Sequence, residues 1–353
     1  MAENNSFWRR RWKLVLNIAT LVALVLLVFA IREDLADTIE NLAKVNAWLL
    51  LLLLPIQAVN YHAQTKFYQH MFRIVGNKLS YGFLYKAALE LNFVNHVFPS
   101  GGAAGISYFA LRLKNNEITA AKATLIQVMK LALTFLAFEL LLVVGMIALS
   151  AMGRVNNLTI LVGAVLSTLL LVGTFGFMYI IESKARINSF FTGVTKVVNR
   201  LIQWVRPSRH AETINVAKAR EAFGDFHDNY KQLRNSLPQL KAPFWWAVMM
   251  NLTEILSIYV VFMAFSEFVN IGAVILAYGV ANFAGLISVL PGGVGVYEFL
   301  MTAILATAGV SAAVSLPVII MYRVLNTVIQ VPPGYYFYQK NLSSSQKQQV
   351  RGV

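Results

Sequence analysis

Long apolar runs, separated by short polar segments, constrain this chain more than any other feature of its sequence. The runs are about 18–30 residues long, and a helix needs about 20 apolar residues to cross about 30 Å of hydrocarbon. Hydrophobic residues make up 58% of the 353 residues and charged residues only 13%, with a mean hydropathy of +0.60. Because the apolar residues are gathered into runs of membrane-crossing length, the sequence predicts an all-α polytopic membrane protein.

We predict about six full transmembrane helices, at residues 14–31, 47–61, 120–151, 158–181, 242–265 and 313–338. The first run follows a basic and aromatic segment, residues 6–13, so a cleaved signal peptide is the competing interpretation. This run is longer than the hydrophobic region of most signal peptides, which favours an uncleaved span.

The net charge of +14 lies mostly in segments that flank the apolar runs. Lys and Arg beside a span mark its cytoplasmic side, so both chain termini are predicted to be cytoplasmic. The polar segment 182–241 is predicted to be a cytoplasmic loop with amphipathic helices on the anionic leaflet, and 341–353 a disordered cytoplasmic tail. Residues 1–340 would form a single transmembrane domain in the bacterial inner (cytoplasmic) membrane. No nucleic-acid partner is expected.

Two glycine-rich segments interrupt otherwise membrane-like sequence: residues 99–105 read PSGGAAG, and residues 291–298 read PGGVGVYE. Proline and glycine break a helix and free backbone groups that hydrocarbon cannot satisfy, so each break must be buried in protein or line a cavity. The flanking charges predict re-entrant helical hairpins at about 81–113 and 271–310, which enter the membrane from opposite faces. Such an inverted repeat, with matched interruptions, points to a transporter's binding site.

The breaks are predicted to hold an anion. The helix that follows each break would offer unpaired N–H donors and a partial positive charge at its N-terminus. The substrate-binding candidates at these positions are Gly101, Gly102, Gly292 and Gly293.

Three charged side chains near the breaks are further substrate-binding candidates: Arg112, Glu298 and Arg323. A charge inside the membrane costs about 2.5–3.5 kcal/mol on insertion scales, so each should have a partner or a function. Glu298 and Arg323 could form a structural ion pair. Alternatively, Arg323 could bind an anionic headgroup while Glu298 orients it or binds a coupling proton. Arg112 could act similarly at the first hairpin, or could only extend to the cytoplasmic headgroups.

Six polar side chains within apolar segments form a possible polar relay: Glu90, Asn92, Asn95, His96, Glu139 and Glu254. By their helical spacing, Asn92, Asn95 and His96 share one face. A structural hydrogen-bond network and a path for protons both fit this pattern, and the alternatives stay open at the level of sequence.

Several classes of function find no support in the sequence. The chain has no cysteine, and its five histidines show no metal-binding pairing, so no metal is expected. No GxxxxGK[ST] segment is present to bind a nucleotide. We therefore expect no cofactor and no enzymatic activity, with an integral membrane enzyme acting on lipid phosphate as an alternative.

The glycine-rich motifs resemble those of the transmembrane, or flippase, domain of lysylphosphatidylglycerol synthetase-type proteins. The matching segments are residues 99–105 with Leu111-Arg112, residues 291–298, Tyr322-Arg323 and residues 332–334. The resemblance covers about residues 14–340 and implies movement of a phospholipid or lipid-linked sugar between leaflets, with Arg112, Glu298 and Arg323 as the family's pattern residues. It also implies a stand-alone member without the soluble synthetase domain, of which lysyl transfer is not expected.

The leading hypothesis is therefore a flippase that translocates a phospholipid or lipid-linked headgroup across the bacterial inner membrane. The headgroup would be held at the hairpin helix N-termini and by the intramembrane arginines. The expected partners are membrane lipids, either anionic phospholipid or a polyprenyl-linked substrate, and further partners could be a second copy or an envelope-pathway protein. An accessory scaffold of an envelope-lipid pathway and a small-solute permease are the remaining alternatives.

Overall fold

The computed structural model describes residues 32–98, 103–151, 156–187, 236–287 and 295–350. It also describes the single positions Val22, Val25, Phe29, Ser189, Thr192, Tyr230, Lys231, Leu233 and Arg234. The first residues of both glycine-rich breaks lie outside the described residues, as do most of the predicted first span and most of the predicted cytoplasmic loop.

Within the described ranges the chain folds into α-helices joined by short turns. The helices are α1 (Arg32–Leu42), α2 (Ala47–Leu50), α3 (Leu53–Ile74), α4 (Tyr81–Val97), α5 (Ala103–Leu113), α6 (Ala120–Ala151), α7 (Asn157–Ile181), α8 (Lys241–Ala264), α9 (Ile271–Ile287), α10 (Val296–Thr307) and α11 (Ala312–Val350). Short 3-10 helices at Lys114–Asn116 and Leu237–Leu240 lie before α6 and α8.

Local sequence signals set several helix starts. The Ser80 side chain caps α4 by accepting a hydrogen bond from the Phe83 N–H at 3.3 Å. Asn156 caps α7 in the same way, by accepting from the Thr159 N–H at 2.8 Å. Gly295 precedes α10 with a φ of +85°, which glycine adopts without a Cβ clash. These caps and turns satisfy or position N–H groups that have no partner inside the helix.

The helices form two halves with the same order of lengths. Helices α3–α6 and helices α8–α11 each place two shorter helices between two long ones. The long helices α3 and α8 pack against each other, while the shorter helices cross over: α4 packs against α11, and α9 packs against α6. The two halves of the predicted repeat therefore interlock. Its inverted orientation and the re-entrant path of the hairpins stay predictions.

Glycines allow the closest contacts between the two halves. A Cβ at Gly334 in α11 would lie 2.6 Å from the Leu89 carbonyl oxygen and 2.6 Å from the Phe93 Cβ in α4. In the matching contact, a Cβ at Gly272 in α9 would collide with the Gly145 carbonyl oxygen in α6. Interlocking therefore depends on positions that have no side chain.

Within the part of the chain that the structure describes, four helices are long and apolar enough to cross a membrane: α6, α7, α8 with its preceding turn (Leu237–Ala264), and α11 over Ala312–Ser343. Helices α9 and α10 are shorter and apolar. The predicted span 47–61 covers α2 and only the start of α3, and α3 carries the buried polar side chains Gln57, Asn60 and Gln64, which bond to other helices. The count of six full spans stays a prediction.

The outer surface of α6 and α7 is apolar. Large exposed side chains there include Val144, Ile147, Leu161, Val172 and Phe175. An apolar surface of this extent faces lipid in a membrane protein and is rare on a soluble monomer. The exposed faces and the long apolar helices together show a multi-pass α-helical membrane protein.

Helix α11 continues to Val350, into the segment 341–353 that the sequence predicts to be disordered. At the start of this segment, the Asn341 Nδ2 donates a hydrogen bond to the Tyr108 hydroxyl of α5 at 3.3 Å. This bond attaches the end of the second half to the first half.

Candidate functional site

Helices α10 and α11 bring Glu298 and Arg323 together. Arg323 Nη1 donates to Glu298 Oε1 in an ion pair. The other carboxylate oxygen, Oε2, accepts from the backbone N–H of Gly295 at 2.7 Å, so that the glutamate in the first turn of α10 caps the N–H of the residue before the helix. The Glu298 and Arg323 side chains are 9% and 18% exposed, so the arginine is the more accessible partner. The structure thus pairs the two residues that the sequence analysis considered together.

Side chains from three other positions surround this pair. The Arg323 guanidinium lies 5.0 Å from the centroid of the Tyr297 ring, a cation–π distance. His96 of α4 and Asp34 of α1 lie within electrostatic range of Arg323. Helix α4 and the amphipathic helix α1 therefore each bring a titratable side chain near the Glu298–Arg323 ion pair.

Asp34 belongs to α1, which lies outside the apolar spans and packs against α11. Burial raises the pKa of the Asp34 carboxyl above its usual value, and the negative charge of Glu298 raises it further. The positive charge of Arg323 acts in the opposite direction. Asp34 is therefore a second carboxyl near Arg323, and its pKa responds to the charges of the Glu298–Arg323 pair.

A second ion pair joins α4 and α5, the helices on either side of the first glycine-rich break. Arg112 Nε of α5 donates to Glu90 Oε2 of α4 at 2.7 Å, and the Tyr108 hydroxyl donates to the same oxygen at 2.7 Å. The Arg112 guanidinium also lies 4.5 Å from the centroid of the Phe83 ring. The Glu90 side chain is only 1% exposed. The sequence analysis singled out Glu90 and Arg112 for different roles, and the structure joins them.

The other members of the first polar cluster make local contacts. His96 Nδ1 lies 2.9 Å from the Asn92 carbonyl oxygen, one turn earlier in α4. The Asn95 side chain occupies the space that a Cβ at Gly105 would need. Gly105, the last residue of the first glycine-rich segment, therefore lets α5 approach α4 closely. A role of Asn92, Asn95 and His96 in a relay stays a prediction.

A chain of hydrogen bonds crosses the helix bundle at Glu254 of α8. The Tyr322 hydroxyl donates to Glu254 Oε2 at 2.8 Å, and Asn60 Nδ2 donates to Glu254 Oε1 at 3.2 Å. Gln64 Nε2 donates to Asn60 Oδ1 at 2.7 Å, and Lys130 Nζ donates to Gln64 Oε1 at 3.2 Å. The network connects α3 and α6 of the first half with α8 and α11 of the second half.

A second branch of this network continues along α11. Asn326 Nδ2 donates to the Tyr322 hydroxyl oxygen at 3.4 Å, and Gln330 Nε2 donates to Asn326 Oδ1 at 2.8 Å. Gln330 Nε2 also donates to Gln57 Oε1 of α3 at 3.2 Å. Side-chain amides therefore extend the network from Glu254 by two further turns of α11.

Glu139 belongs to a different contact. The Ser167 hydroxyl of α7 donates to Glu139 Oε1 of α6. No hydrogen bond among the described residues joins Glu139 to the network around Glu254. The relay that the sequence analysis grouped together is thus divided, in the described part of the chain, into separate contacts at Glu90, Glu139 and Glu254.

Sequence reasoning missed three neutral side chains that complete these contacts, namely Asn60, Gln64 and Tyr108, and it named Tyr322 only as part of the Tyr322-Arg323 motif. A signal was present in Asn60 and Gln64, which are amides one turn apart on a single helix face. The candidates Gly101, Gly102, Gly292 and Gly293 lie outside the described residues. Within the described residues, no group of three or more His, Cys, Asp or Glu side chains could hold a metal ion.

Fold and site together define a multi-pass α-helical membrane protein with two interlocked halves. It contains two arginine–glutamate ion pairs, and a polar network connects the two halves. The chain belongs to the family described as the lysylphosphatidylglycerol synthase TM region, which it matches over residues 15–334. This match confirms the resemblance drawn from the glycine-rich segments.

Two archaeal relatives are described as UPF0104 membrane proteins. The protein MJ1595 of Methanocaldococcus jannaschii is 20% identical over 327 residues, which cover 91% of this chain and 92% of that protein. A protein of Methanothermobacter thermautotrophicus is 30% identical over 97 residues, which cover 28% of this chain and 29% of that protein. These relatives are archaeal, so a location in the bacterial inner membrane stays a prediction. The cytoplasmic position of both chain termini also stays a prediction.

Proposed function

We propose that this protein translocates a phospholipid headgroup between the two leaflets, and that Arg323 binds the headgroup phosphate during the passage. The name of its family refers to lysylphosphatidylglycerol, which is a phospholipid. The apolar outer faces of α6 and α7 also suit contact with lipid, so acyl chains can remain in the bilayer while the polar headgroup crosses inside the protein.

The observation that carries this proposal is the way in which Glu298 is bound. One of its carboxylate oxygens accepts from Arg323, and the other accepts from the Gly295 N–H at 2.7 Å. If a phosphate replaces Glu298 as the partner of Arg323, the carboxylate keeps its backbone donor. The exchange therefore leaves neither buried group without a hydrogen bond, which would otherwise cost about 1–3 kcal/mol or more for a charged group.

Arginine suits this exchange for a chemical reason. Its planar guanidinium offers several N–H donors and binds phosphate through two parallel hydrogen bonds. Arg323 is also the more exposed member of its pair, and the Tyr297 ring lies beside its guanidinium. Arg112 is less suited, because Phe83, Tyr108 and the almost fully buried Glu90 fix its pair between the two arms of the first hairpin.

The proposal can be tested by reconstituting the purified protein in liposomes that contain fluorescent phosphatidylglycerol. Chemical quenching of the outer leaflet measures how fast labelled headgroups move outward. We expect Arg323→Gln to slow this movement roughly 10- to 100-fold, the equivalent of one hydrogen bond to a charged group. The matched control is Arg186→Gln, which removes an arginine from an i,i+4 pair with Glu182 (3.7 Å) at the end of α7.

The substitution Glu298→Gln distinguishes an effect on the binding of the headgroup from an effect on the rate of its translocation. Glutamine keeps an acceptor for the Gly295 N–H but no longer competes with phosphate for Arg323. We expect this variant to bind phosphatidylglycerol more tightly than wild type and to move it more slowly, since release is hindered.

Equal rates for wild type, Arg323→Gln and Arg186→Gln would remove Arg323 from the mechanism. A wild-type protein that moves no lipid but co-purifies with an envelope protein would instead support the scaffold alternative.

A further inference from the structure

The carboxyl of Glu254 differs from those of Glu90 and Glu298 in its lack of an ion pair, and from that of Glu139 in having a donor at each oxygen, since Glu139 Oε2 is buried without one among the described residues. Glu90 and Glu298 each pair with an arginine, whereas Glu254 makes no ion pair within the described part of the chain. Its donors are the neutral groups of Tyr322 and Asn60. A carboxylate in an apolar helix without a paired cation is costly, and protonation removes this cost. Glu254 is therefore able to exchange a proton in a way that the paired glutamates are not.

The surroundings of Glu254 can satisfy both of its charge states. In the charged state, its two oxygens accept from Asn60 and Tyr322, as the structure shows. In the neutral state, the new carboxylic O–H can donate to the Tyr322 oxygen, because a tyrosine hydroxyl both donates and accepts. Asn326 Nδ2 already donates a hydrogen bond to the Tyr322 oxygen, so this hydroxyl acts as an acceptor as well as a donor in the structure. The residue is also half-buried rather than fully enclosed.

Titratable groups face Glu254 from each neighbouring helix that carries one. These groups are Tyr61 on α3, Lys130 on α6, Tyr278 on α9, Tyr297 on α10 and Tyr322 on α11. Helix α2 also packs against α8 and has no titratable side chain. The phenols are neutral at physiological pH. Lys130 is thus the cation in this set, and it contacts the network through Gln64 rather than at the carboxyl itself.

Two contacts link Glu254 to the proposed headgroup site. Tyr322, which donates to Glu254, directly precedes Arg323 in α11. Tyr297 lies beside the Arg323 guanidinium and within electrostatic range of Glu254. A change in the charge of Glu254 therefore acts on the turn of α11 that carries the headgroup-binding arginine.

We propose that Glu254 is the proton-binding site that couples lipid translocation to a pH gradient across the membrane. This inference rests on the proposed function. In each cycle, an O–H bond forms at a Glu254 oxygen with a proton from water on one side of the membrane. The same proton returns to water on the other side after the headgroup has moved. The Tyr322 hydrogen bond reverses its direction between the two states and transmits the change to Arg323.

The first test measures proton binding and does not depend on transport. Infrared difference spectra of the full-length protein in nanodiscs, recorded between acidic and alkaline buffer, report protonated carboxyl groups. We expect a carboxyl band that titrates in wild type and in Glu139→Gln but is lost in Glu254→Gln. Glu139→Gln is the matched control because it removes a membrane-embedded carboxyl outside the network. Identical titrating bands in wild type and Glu254→Gln would overturn the proposal.

The second test measures coupling in liposomes that hold fluorescent phosphatidylglycerol. We expect a pH gradient to drive net accumulation of the lipid in one leaflet for wild type and Glu139→Gln. Glu254→Gln should lose this accumulation while still equilibrating lipid without a gradient. Accumulation that persists in Glu254→Gln, or that follows a sodium gradient instead, would refute proton coupling at this residue. If wild type moves no lipid, the proposed function fails, while the infrared titration still decides whether Glu254 binds a proton.

Should Glu254→Gln fail to fold, Tyr322→Phe tests the same site. This variant keeps the carboxyl and removes one of its two donors, so the titration of the band should be displaced. An undisplaced band in a folded Tyr322→Phe protein would show that the titrating carboxyl is not the one that Tyr322 contacts, and would contradict the proposal.

Discussion

Each embedded arginine in the described residues is balanced by a glutamate, but the two pairs differ in how the glutamate is held. In the first pair, Arg112 and Tyr108 both donate to one oxygen of Glu90. In the second pair, Arg323 and the Gly295 N–H each donate to a separate oxygen of Glu298. The first arrangement fixes α4 against α5, whereas the second gives Glu298 a backbone donor that does not depend on Arg323. Residues of the same types are therefore held in different ways, and the proposed exchange of partners at Arg323 depends on this difference.

At the residue scale, Asp34 supplies a pH-dependent prediction. Burial raises its pKa in the folded protein above the value of about 3.9 in an unfolded chain. The folded state therefore binds this proton more tightly, and the contribution of Asp34 to stability falls as pH rises through the interval between these two pKa values. We expect Asp34→Asn to unfold at a higher temperature than wild type at neutral pH, and this difference to disappear below about pH 4.

Thermal unfolding in detergent, followed by intrinsic fluorescence across this pH range, checks the prediction. The control is Asp37→Asn, which removes an exposed acid from the same helix. An equal effect of both substitutions at every pH would mean that the general charge of α1, rather than the burial of Asp34, sets the stability.

At the scale of secondary-structure elements, the contact of α4 with α11 is closely packed. Phe93 of α4 and Tyr338 of α11 are almost completely buried, with ring centroids 5.2 Å apart. The same interface contains Gly334, which lies against the α4 backbone. Since α11 also carries Arg323 and Tyr322, the depth at which it packs on α4 affects both the ion pair and the Glu254 network.

We expect Gly334→Ala to destabilise the protein by about 1–3 kcal/mol, the usual cost of overpacking a tight contact. The added Cβ would lie 2.6 Å from the Leu89 carbonyl oxygen, and backbone of a helix cannot yield as a flexible side chain would. Thermal unfolding measures the loss. The control is Gly173→Ala in α7, where a Cβ meets nothing within 4 Å and alanine favours the helix. Similar unfolding temperatures for both variants would contradict the tight contact.

At the scale of the whole molecule, the exchange of helices between the halves makes each half incomplete. Without α11, the face of α4 that packs against α11 would be exposed. Without α6, the face of α9 that packs against α6 would be exposed. The halves are joined through the polar segment 182–241, which offers a place to divide the chain.

We expect two fragments, divided between Arg209 and His210, to assemble when they are co-expressed and to be degraded or aggregated when each is made alone. Affinity purification through a tag on one fragment, followed by gel filtration, measures the assembly. Introducing Gly334→Ala into the second fragment should weaken it, because that substitution acts at the interface between the halves. Fragments that are each monodisperse and helical on their own would show that the halves are independent domains.

The sequence alone determined the class of protein, because the length and apolar character of a run depend only on neighbouring residues and on the thickness of hydrocarbon. It also identified the glycine-rich segments and the pair of Glu298 and Arg323, which are separated by only 25 residues. The paired re-entrant hairpins are predicted from the same kind of local signal, charge and helix-breaking residues, and stay a prediction.

Only the tertiary structure decided which polar side chains meet. Asn60 and Glu254 are 194 residues apart, and Tyr322 lies 68 residues beyond Glu254, yet all three share one hydrogen-bond network. Their meeting depends on how α3, α8 and α11 pack, and this packing is set by close contacts such as that of Gly334 with α4. Helical periodicity gives the face on which a side chain lies, but it does not give the partner, because the partner comes from the other half of an interlocked fold.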